Sequence, residues 1–260
     1  MKSVTSTGVG KLKVKWSKDS LASGYILQYS TSSKFSSSKT VTLDITKYST
    51  VSKTIKGLTE GKTYYVRVAA YKTIDGEDFL GSYSTKDSVK VKASFTVKAI
   101  SDKTYTGSSI EPSVTVKFGS KTLKKGTDYT VSYSSNKNPG TATVKVTGKG
   151  NYAGTEKVTF KIVPKKATIT TVKSTKAGRL TVKWEKDAKA DGYFLQYSTS
   201  KKFTEATTET IYIKKYSTVS KTIKNLVSGK KYYVRVAAYK NIDDVMERGS
   251  YSSVKYLKVK

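Results

Sequence analysis

The sequence predicts an all-β fold of three tandem β-sandwich modules, and three observations support this prediction. Two long segments repeat each other, short alternating apolar runs fill the whole chain, and turn-forming residues end each run. One small β-sandwich takes about 100 residues, so a chain of 260 residues has room for two or three. The predicted boundaries are 1–93 for the first copy, 94–164 for the middle segment and 165–260 for the second copy.

The repeat is the strongest of these observations. KYSTVSKTIKGLTEGKTYYVRVAAYK begins at Lys47, and KYSTVSKTIKNLVSGKKYYVRVAAYK begins at Lys215. The same offset holds without a gap from Leu12 to Lys92, and roughly six positions in ten are identical over this span. A match of this length indicates a duplicated domain.

Alternation along the repeat predicts which side chains face the core. In the run KLKVKW that begins at Lys11, every second residue is apolar and the residues between are lysines, which is typical of a half-buried strand. The predicted inward positions of the first copy are Leu12, Val14, Trp16, Tyr25, Leu27, Tyr29, Val51, Ile55, Tyr64, Val66, Val68 and Ala70.

The middle segment shows the same β pattern with different residues. Its runs are short and end in Gly, Asn or Ser, and Gly119-Ser120 interrupts two of them in the manner of a tight hairpin. The predicted inward residues are Tyr129, Val131, Tyr133, Ala142, Val144, Val146, Val158, Phe160 and Ile162. The links are short, at Lys92-Ala93-Ser94 and at Pro164-Lys165-Lys166, which favours a semi-rigid string of modules.

Composition argues against an enzyme. The chain has no histidine and no cysteine, which removes the usual general base, the common nucleophile pairs and the commonest metal ligands. No cofactor or metal site is therefore expected. Paired carboxylates could still act as acid and base, but the few Asp and Glu lie mainly in turns. No apolar run is long enough to span a bilayer, and the first residues lack the apolar stretch of a signal peptide, so an extracellular chain would be a fragment.

The charge is strongly positive and is carried by lysine. Lys and Arg number 49 against 19 Asp and Glu, a formal net charge of +30. Lysines alternate outward along most strands and no Arg-rich stripe or nucleic-acid motif occurs, so specific nucleic-acid binding is not expected. Non-specific attraction to anionic cell-wall polymers is the expectation from charge alone.

The repeated copies resemble fibronectin type III domains. The order of a tryptophan, GYxLQYS, and then LxxGxxYYVRVAAY carries the resemblance over about 90 residues of each copy. It implies that Trp16 and Trp184 fill the core. It also implies that Leu58 with Tyr64, and Leu226 with Tyr232, form the family's tyrosine corner, in which a phenol bonds back to the preceding loop.

A finer resemblance concerns source and role. YSTSSKF and GSYS are similar to Lys-rich copies in surface proteins of anaerobic Firmicutes, and the middle segment is similar to bacterial immunoglobulin-like repeats. The resemblance implies an extracellular, monomeric spacer segment of a larger Gram-positive surface protein, although no cell-wall sorting motif occurs here. The alternative is an adhesin or carbohydrate-binding module whose partners are glycans or host and surface proteins.

Two candidate sites remain open between functional and structural interpretations. A face of tyrosines around an arginine could stack on sugar rings or on a partner protein, or the arginine could stack only within its own sheet. This candidate face consists of Tyr65, Arg67, Tyr71, Tyr233, Arg235 and Tyr239, with Gln28 and Gln196 beside it. Acidic residues after the long strand could bind Ca²⁺ or form a solvated turn. These residues are Asp75, Glu77, Asp78, Asp243 and Asp244.

Overall fold

The computed structural model describes residues 1–260 and consists of β-strands and two short 3₁₀ turns, with no α-helix. The predicted fold class is confirmed: the chain is all-β and forms tandem β-sandwich modules. The predicted boundaries after residues 93 and 164 stay a prediction. The chain contains two compact units, one formed by residues 1–98, 115–132 and 145–156, and one by residues 99–114, 133–144 and 157–260.

The first copy is a sandwich of a three-stranded and a five-stranded sheet. Its strands are β1 (Ser3–Gly8), β2 (Lys11–Lys15), β3 (Gly24–Ser30), β4 (Thr40–Ile45), β5 (Ser52–Ile55), β6 (Thr63–Ile74), β7 (Glu77–Leu80) and β8 (Asp87–Lys90). One sheet has the order β1-β2-β5, and the other has the order β4-β3-β6-β7 with β8 also paired to β6. All pairings in both sheets are antiparallel.

The middle segment contributes two further sheets. Its strands are β9 (Thr96–Val97), β10 (Lys103–Thr104), β11 (Val116–Phe118), β12 (Lys121–Thr122), β13 (Tyr129–Ser134), β14 (Gly140–Gly148) and β15 (Thr155–Val163). The sheet orders are β12-β11-β9 and β10-β15-β14-β13. The predicted hairpin at Gly119-Ser120 is confirmed, because Phe118 pairs with Lys121 and Gly119 has the positive φ of 58° that such a turn requires.

The second copy repeats the strand order of the first. Its strands are β16 (Ile169–Lys173), β17 (Leu180–Trp184), β18 (Gly192–Ser198), β19 (Thr208–Ile213), β20 (Ser220–Ile223), β21 (Lys231–Ile242), β22 (Val245–Arg248) and β23 (Lys255–Lys258). The sheets are ordered β16-β17-β20 and β19-β18-β21-β22, with β23 paired to β21. The two copies therefore share the same order of hydrogen-bonded strands as well as much of their sequence.

Each copy encloses its own apolar core between its two sheets. In the first copy the buried cluster includes Leu12 and Val14 from β2, Leu27 from β3 and Val66 from β6. One predicted inward residue is wrong: Val51 is 38% exposed. It precedes β5, and its carbonyl accepts a hydrogen bond from the backbone N–H of Trp16, so its backbone extends the sheet while its side chain stays outside the core.

A glycine at the start of β3 lets two elements approach closely. A Cβ on Gly24 would lie 2.4 Å from the carbonyl oxygen of Ile45 and 2.6 Å from the hydroxyl of Tyr71. At the equivalent Gly192, a Cβ would lie 2.0 Å from the carbonyl oxygen of Ile213. No side chain fits between these groups, so the glycine determines how closely β3 and β4 pack.

Gly24→Ala is therefore expected to destabilise the first copy by about 1–3 kcal/mol, the usual cost of an overpacked site. The matched control is Gly8→Ala, because the nearest atom to a Cβ on Gly8 lies 4.0 Å away. Each copy has one tryptophan, so urea unfolding followed by Trp16 fluorescence in a Trp184→Phe background measures the first copy alone. Equal midpoints for the two alanine variants would contradict the packing argument.

Candidate functional site: a stacked arginine in each copy

Arg67 lies on β6 opposite Gln28 of β3, on the face directed away from the core. Its Nε and Nη2 donate to Gln28 Oε1 at 2.9 Å and 2.7 Å. The Nε2 of Gln28 in turn donates to Thr42 Oγ1 on β4 at 3.1 Å. The arginine is thus joined to its sheet by a chain of hydrogen bonds across three strands.

Two aromatic rings cover the guanidinium of Arg67. Its Cζ lies 4.2 Å from the ring centre of Phe35 and 4.1 Å from the ring centre of Tyr83. Phe35 comes from the loop after β3 and has a positive φ of 53°, while Tyr83 follows β7. Cation–π stacking on both rings therefore ties two loops to the sheet.

The second copy repeats the arrangement. Arg235 Cζ lies 4.1 Å from the rings of both Phe203 and Tyr251, and its Nε donates to Gln196 Oε1 at 2.8 Å. Burial lowers the pKa of the Arg235 guanidinium, and burial raises the pKa of the Tyr251 phenol. Both groups keep their ordinary charge at neutral pH, because their usual pKa values lie far above it.

The predicted tyrosines do not surround the arginines. Tyr65 and Tyr233 are half-buried, and their rings lie near Lys86 and Tyr256. The predicted exposure of Tyr71 and Tyr239 is wrong: they are 7% and 4% exposed.

The two buried tyrosines lie over the glycines that begin β3 and β18. Tyr71 covers Gly24, and Tyr239 covers Gly192 and also contacts Phe194 at 5.1 Å between ring centres. Burial is the main reason why the pKa of the Tyr71 phenol is raised, and a hydrogen bond with Asp44 raises this pKa further. These tyrosines therefore pack within the module and offer no free ring to a ligand.

The sequence did not predict the rings that flank the arginines. They are Phe35, Tyr83, Phe203 and Tyr251. The available signal was their recurrence at the same offset, in YSTSSKF and YSTSKKF and in the two GSYS motifs. Strand periodicity could not reveal them, because they lie in loops whose distance from Arg67 depends on tertiary structure.

The six residues implied by the fibronectin type III resemblance are all buried. They are Trp16, Leu58, Tyr64, Trp184, Leu226 and Tyr232. The backbone N–H of Thr59 donates to the Tyr64 hydroxyl at 3.2 Å, and the N–H of Val227 donates to the Tyr232 hydroxyl at 3.3 Å. Both bonds run from the loop before the long strand back to its tyrosine, which is the geometry of a tyrosine corner.

The side chains of the acidic loops bond to neighbouring hydroxyl groups. No group of three or more acidic side chains has the arrangement of a metal site. In the second copy Asp243 accepts a hydrogen bond from Thr141 Oγ1 at 2.7 Å, and in the first copy Asp78 accepts one from Thr73 at 2.6 Å. No helix of the structure could cross a bilayer.

The fold and these sites define a chain of tandem β-sandwiches with self-contained aromatic clamps. Residues 163–253 match the family model of the fibronectin type III domain. Domains of this family serve as structural spacers or as binding modules in larger proteins and are generally non-catalytic. No curated protein matches the sequence.

Two solved structures are similar over almost the whole chain. One contains the FN1–FN3 domains of chicken CNTN1, with 14% identity, coverage of 99% of this chain and 97% of that chain, and a TM-score of 0.34. The other is a segment of two fibronectin type III domains from chicken tenascin, with 14% identity, the same coverages and a TM-score of 0.33.

The clamp predicts that arginine cannot be replaced by lysine. Lysine keeps the charge but loses the planar group that stacks on two rings and bonds to glutamine. Arg235→Lys is expected to destabilise the second copy by about 1–2 kcal/mol, measured by urea unfolding followed by Trp184 fluorescence in a Trp16→Phe background. Arg179→Lys serves as control, because Arg179 is exposed. A clamp without structural importance would leave both variants equally stable.

Proposed function

We propose that this chain is a non-catalytic spacer segment of a larger bacterial cell-surface protein. In this proposal the first copy is a second fibronectin type III domain and the middle segment is an immunoglobulin-like module. The observation that carries the proposal is that each copy contacts the middle segment directly through side chains and backbone. A spacer needs such contacts, because a string of loosely tethered modules does not hold a fixed distance.

At the first junction the residues of the link form hydrogen bonds to both neighbouring segments. The backbone N–H of Ala93 donates to the carbonyl of Asn151 at 3.0 Å, and the N–H of Ala153 donates to the carbonyl of Ala93 at 2.9 Å. The carboxylate of Glu60 accepts from the backbone N–H of Ser94 at 2.9 Å and from its hydroxyl at 2.6 Å. These bonds hold the link to the modules on either side of it.

An apolar contact completes the first junction. A Cβ on Gly61 would lie 3.1 Å from the ring of Phe118 in the middle segment. Phe118 also packs edge-on against Tyr152, with ring centres 6.0 Å apart. The loop that carries Glu60 therefore rests on an aromatic pair.

At the second junction the loop after the long strand lies against the middle segment. Lys161 of β15 forms an ion pair with Glu247 of β22. The hydrogen bond to Glu247 raises the pKa of Lys161, so the ammonium group stays charged throughout the neutral range. Thr141 donates to Asp243, and a Cβ on Gly249 would lie 2.2 Å from the carbonyl oxygen of Pro164 in the link.

Binding is the second candidate function, as an adhesin or a carbohydrate-binding module. Exposed tyrosines at 212 and 256 favour it, because aromatic rings on a sheet surface can stack on sugars. The arginine clamps do not favour it, since both faces of each guanidinium are occupied. Binding to a glycan array that is lost in Tyr212→Ala, Tyr256→Ala would establish this function, and failure of the chain to bind any glycan or matrix protein would exclude it.

The spacer function predicts fixed distances across both junctions. The chain has no native cysteine, so spin labels can be placed at Ser38→Cys with Thr122→Cys and at Lys137→Cys with Glu209→Cys. Each pair is expected to give one narrow distance distribution by double electron–electron resonance. Glu60→Ala should broaden the first distribution only, and Glu247→Ala the second only, so each variant is the control for the other. Broad distributions in the unmodified background would reject a spacer held by contacts.

The net charge of +30 predicts a salt-sensitive affinity for anionic wall polymers. Binding to a polymer of repeating phosphodiesters is expected to weaken steeply between 50 and roughly 300 mM NaCl, as the Debye length falls below about 10 Å. Isothermal titration calorimetry at several salt concentrations measures this affinity. An affinity independent of salt would indicate a specific site in place of general attraction.

A further inference from the structure

The hairpin after the long strand has very different surroundings in the two copies. Residues 73–84 of the first copy correspond to 241–252 of the second, and Asp75 and Asp243 have the same positive φ of 50°. Ile242 is 3% exposed, whereas its counterpart Ile74 is 52% exposed. In the second copy the middle segment and the link lie against this hairpin, through the contacts of Asp243, Glu247 and Gly249.

The uncovered hairpin of the first copy is part of an apolar surface. Ile74 and Phe79 are exposed on one face of the hairpin and Leu21 lies beside Phe79; we call these three residues the apical patch. A groove of about 350 Å³ lies beside it and is lined by Leu21, Tyr71 and Phe79 among others. Exposed apolar clusters of this kind on a soluble domain mark interaction surfaces.

The substitutions between the copies indicate what fits the apical patch. Glu247, which pairs with Lys161, corresponds to Phe79, and Lys189 corresponds to Leu21. Asp243, which accepts from Thr141, corresponds to Asp75 and keeps its carboxylate. The first copy therefore has the same carboxylate position beside the patch, and apolar residues at two positions that are charged in the second copy.

We propose that the apical patch docks another immunoglobulin-like module of the same kind as the middle segment. That module would present a hydroxyl to Asp75, as Thr141 does to Asp243, and the alkyl chain of the residue at the position of Lys161 would pack against Phe79, more closely where that residue is apolar. The contact would reproduce the second junction one module earlier. The inference rests on the proposed spacer function, and it can fail while the distances across the two existing junctions stay fixed.

The test uses an extended chain in which residues 1–168 precede the complete chain. Residue 168 of the added block is joined to Met1 of the complete chain. Met1 corresponds to Ile169, so residues 164–168 link the added block to the following copy as they do in the native chain. Ile74→Cys is introduced in either the first or the second occurrence, and the rate of alkylation by iodoacetamide is measured. The native chain has no cysteine, so the engineered thiol is the single reactive one.

The second-occurrence cysteine is expected to react at least about tenfold more slowly than the first-occurrence cysteine, since reaction would then require local opening of the contact. Lys161→Leu in the added block should slow the reaction further, because it places an apolar group against Phe79. Val41→Cys, at another exposed apolar position, should react equally fast in both occurrences. Equal rates for the two Ile74→Cys variants would overturn the docking proposal, and no effect of Lys161→Leu would overturn the packing against Phe79.

Discussion

Each copy depends on one aromatic pair that joins its two sheets. Trp16, which directly follows β2, packs edge-on against Tyr25 of β3, with ring centres 5.5 Å apart, and Trp184 packs on Tyr193 at 5.4 Å. The Tyr25 hydroxyl also accepts from the backbone N–H of Asp19 and donates to the carbonyl of Tyr48. One residue thus fills the core and anchors two loops. No protein group accepts a hydrogen bond from the indole N–H of either tryptophan, and both rings are buried in the core.

The prominent aromatic and arginine side chains outside the core contact other residues of their own copy. The arginine clamps use both faces of their guanidinium groups on rings from the same copy, and Tyr71 and Tyr239 cover the glycines that begin β3 and β18. What varies between the copies is the hairpin after the long strand, which contacts the middle segment in one copy and is exposed in the other. Differences between the copies thus concentrate where modules meet.

Periodicity and repetition were sufficient to predict the fold class and most of the core. Alternation placed Leu12, Val14 and Trp16 on one face because a strand has a fixed period of two. It failed at Val51, which lies just before its strand, and at Tyr71, whose burial on the outer face depends on the absence of a side chain at Gly24. The sequence also could not predict that Arg67 contacts Phe35 and Tyr83, because these rings lie in loops far from Arg67 along the chain.

The junctions were foreseen only in part. Short links predicted limited freedom, but the contacts of Glu60 and Glu247 depend on which loop tips reach the middle segment. The acidic loop residues are of the type that binds calcium, whereas Asp243 accepts a hydrogen bond from Thr141 of the middle segment. A carboxylate in a turn has no spacing that distinguishes these roles, so the answer required tertiary structure.

Contacts at the junctions hold each copy to the middle segment. Backbone ¹⁵N relaxation tests it most directly, because the ratio of longitudinal to transverse rates gives the tumbling time of each amide. Within the first compact unit, amides of β6 and β11 are predicted to share one tumbling time, and within the second, amides around Lys161 and those of β21 are predicted to share one, each longer than a single module would give. Three separate short tumbling times, each suited to an independent domain of about 100 residues, would contradict the account.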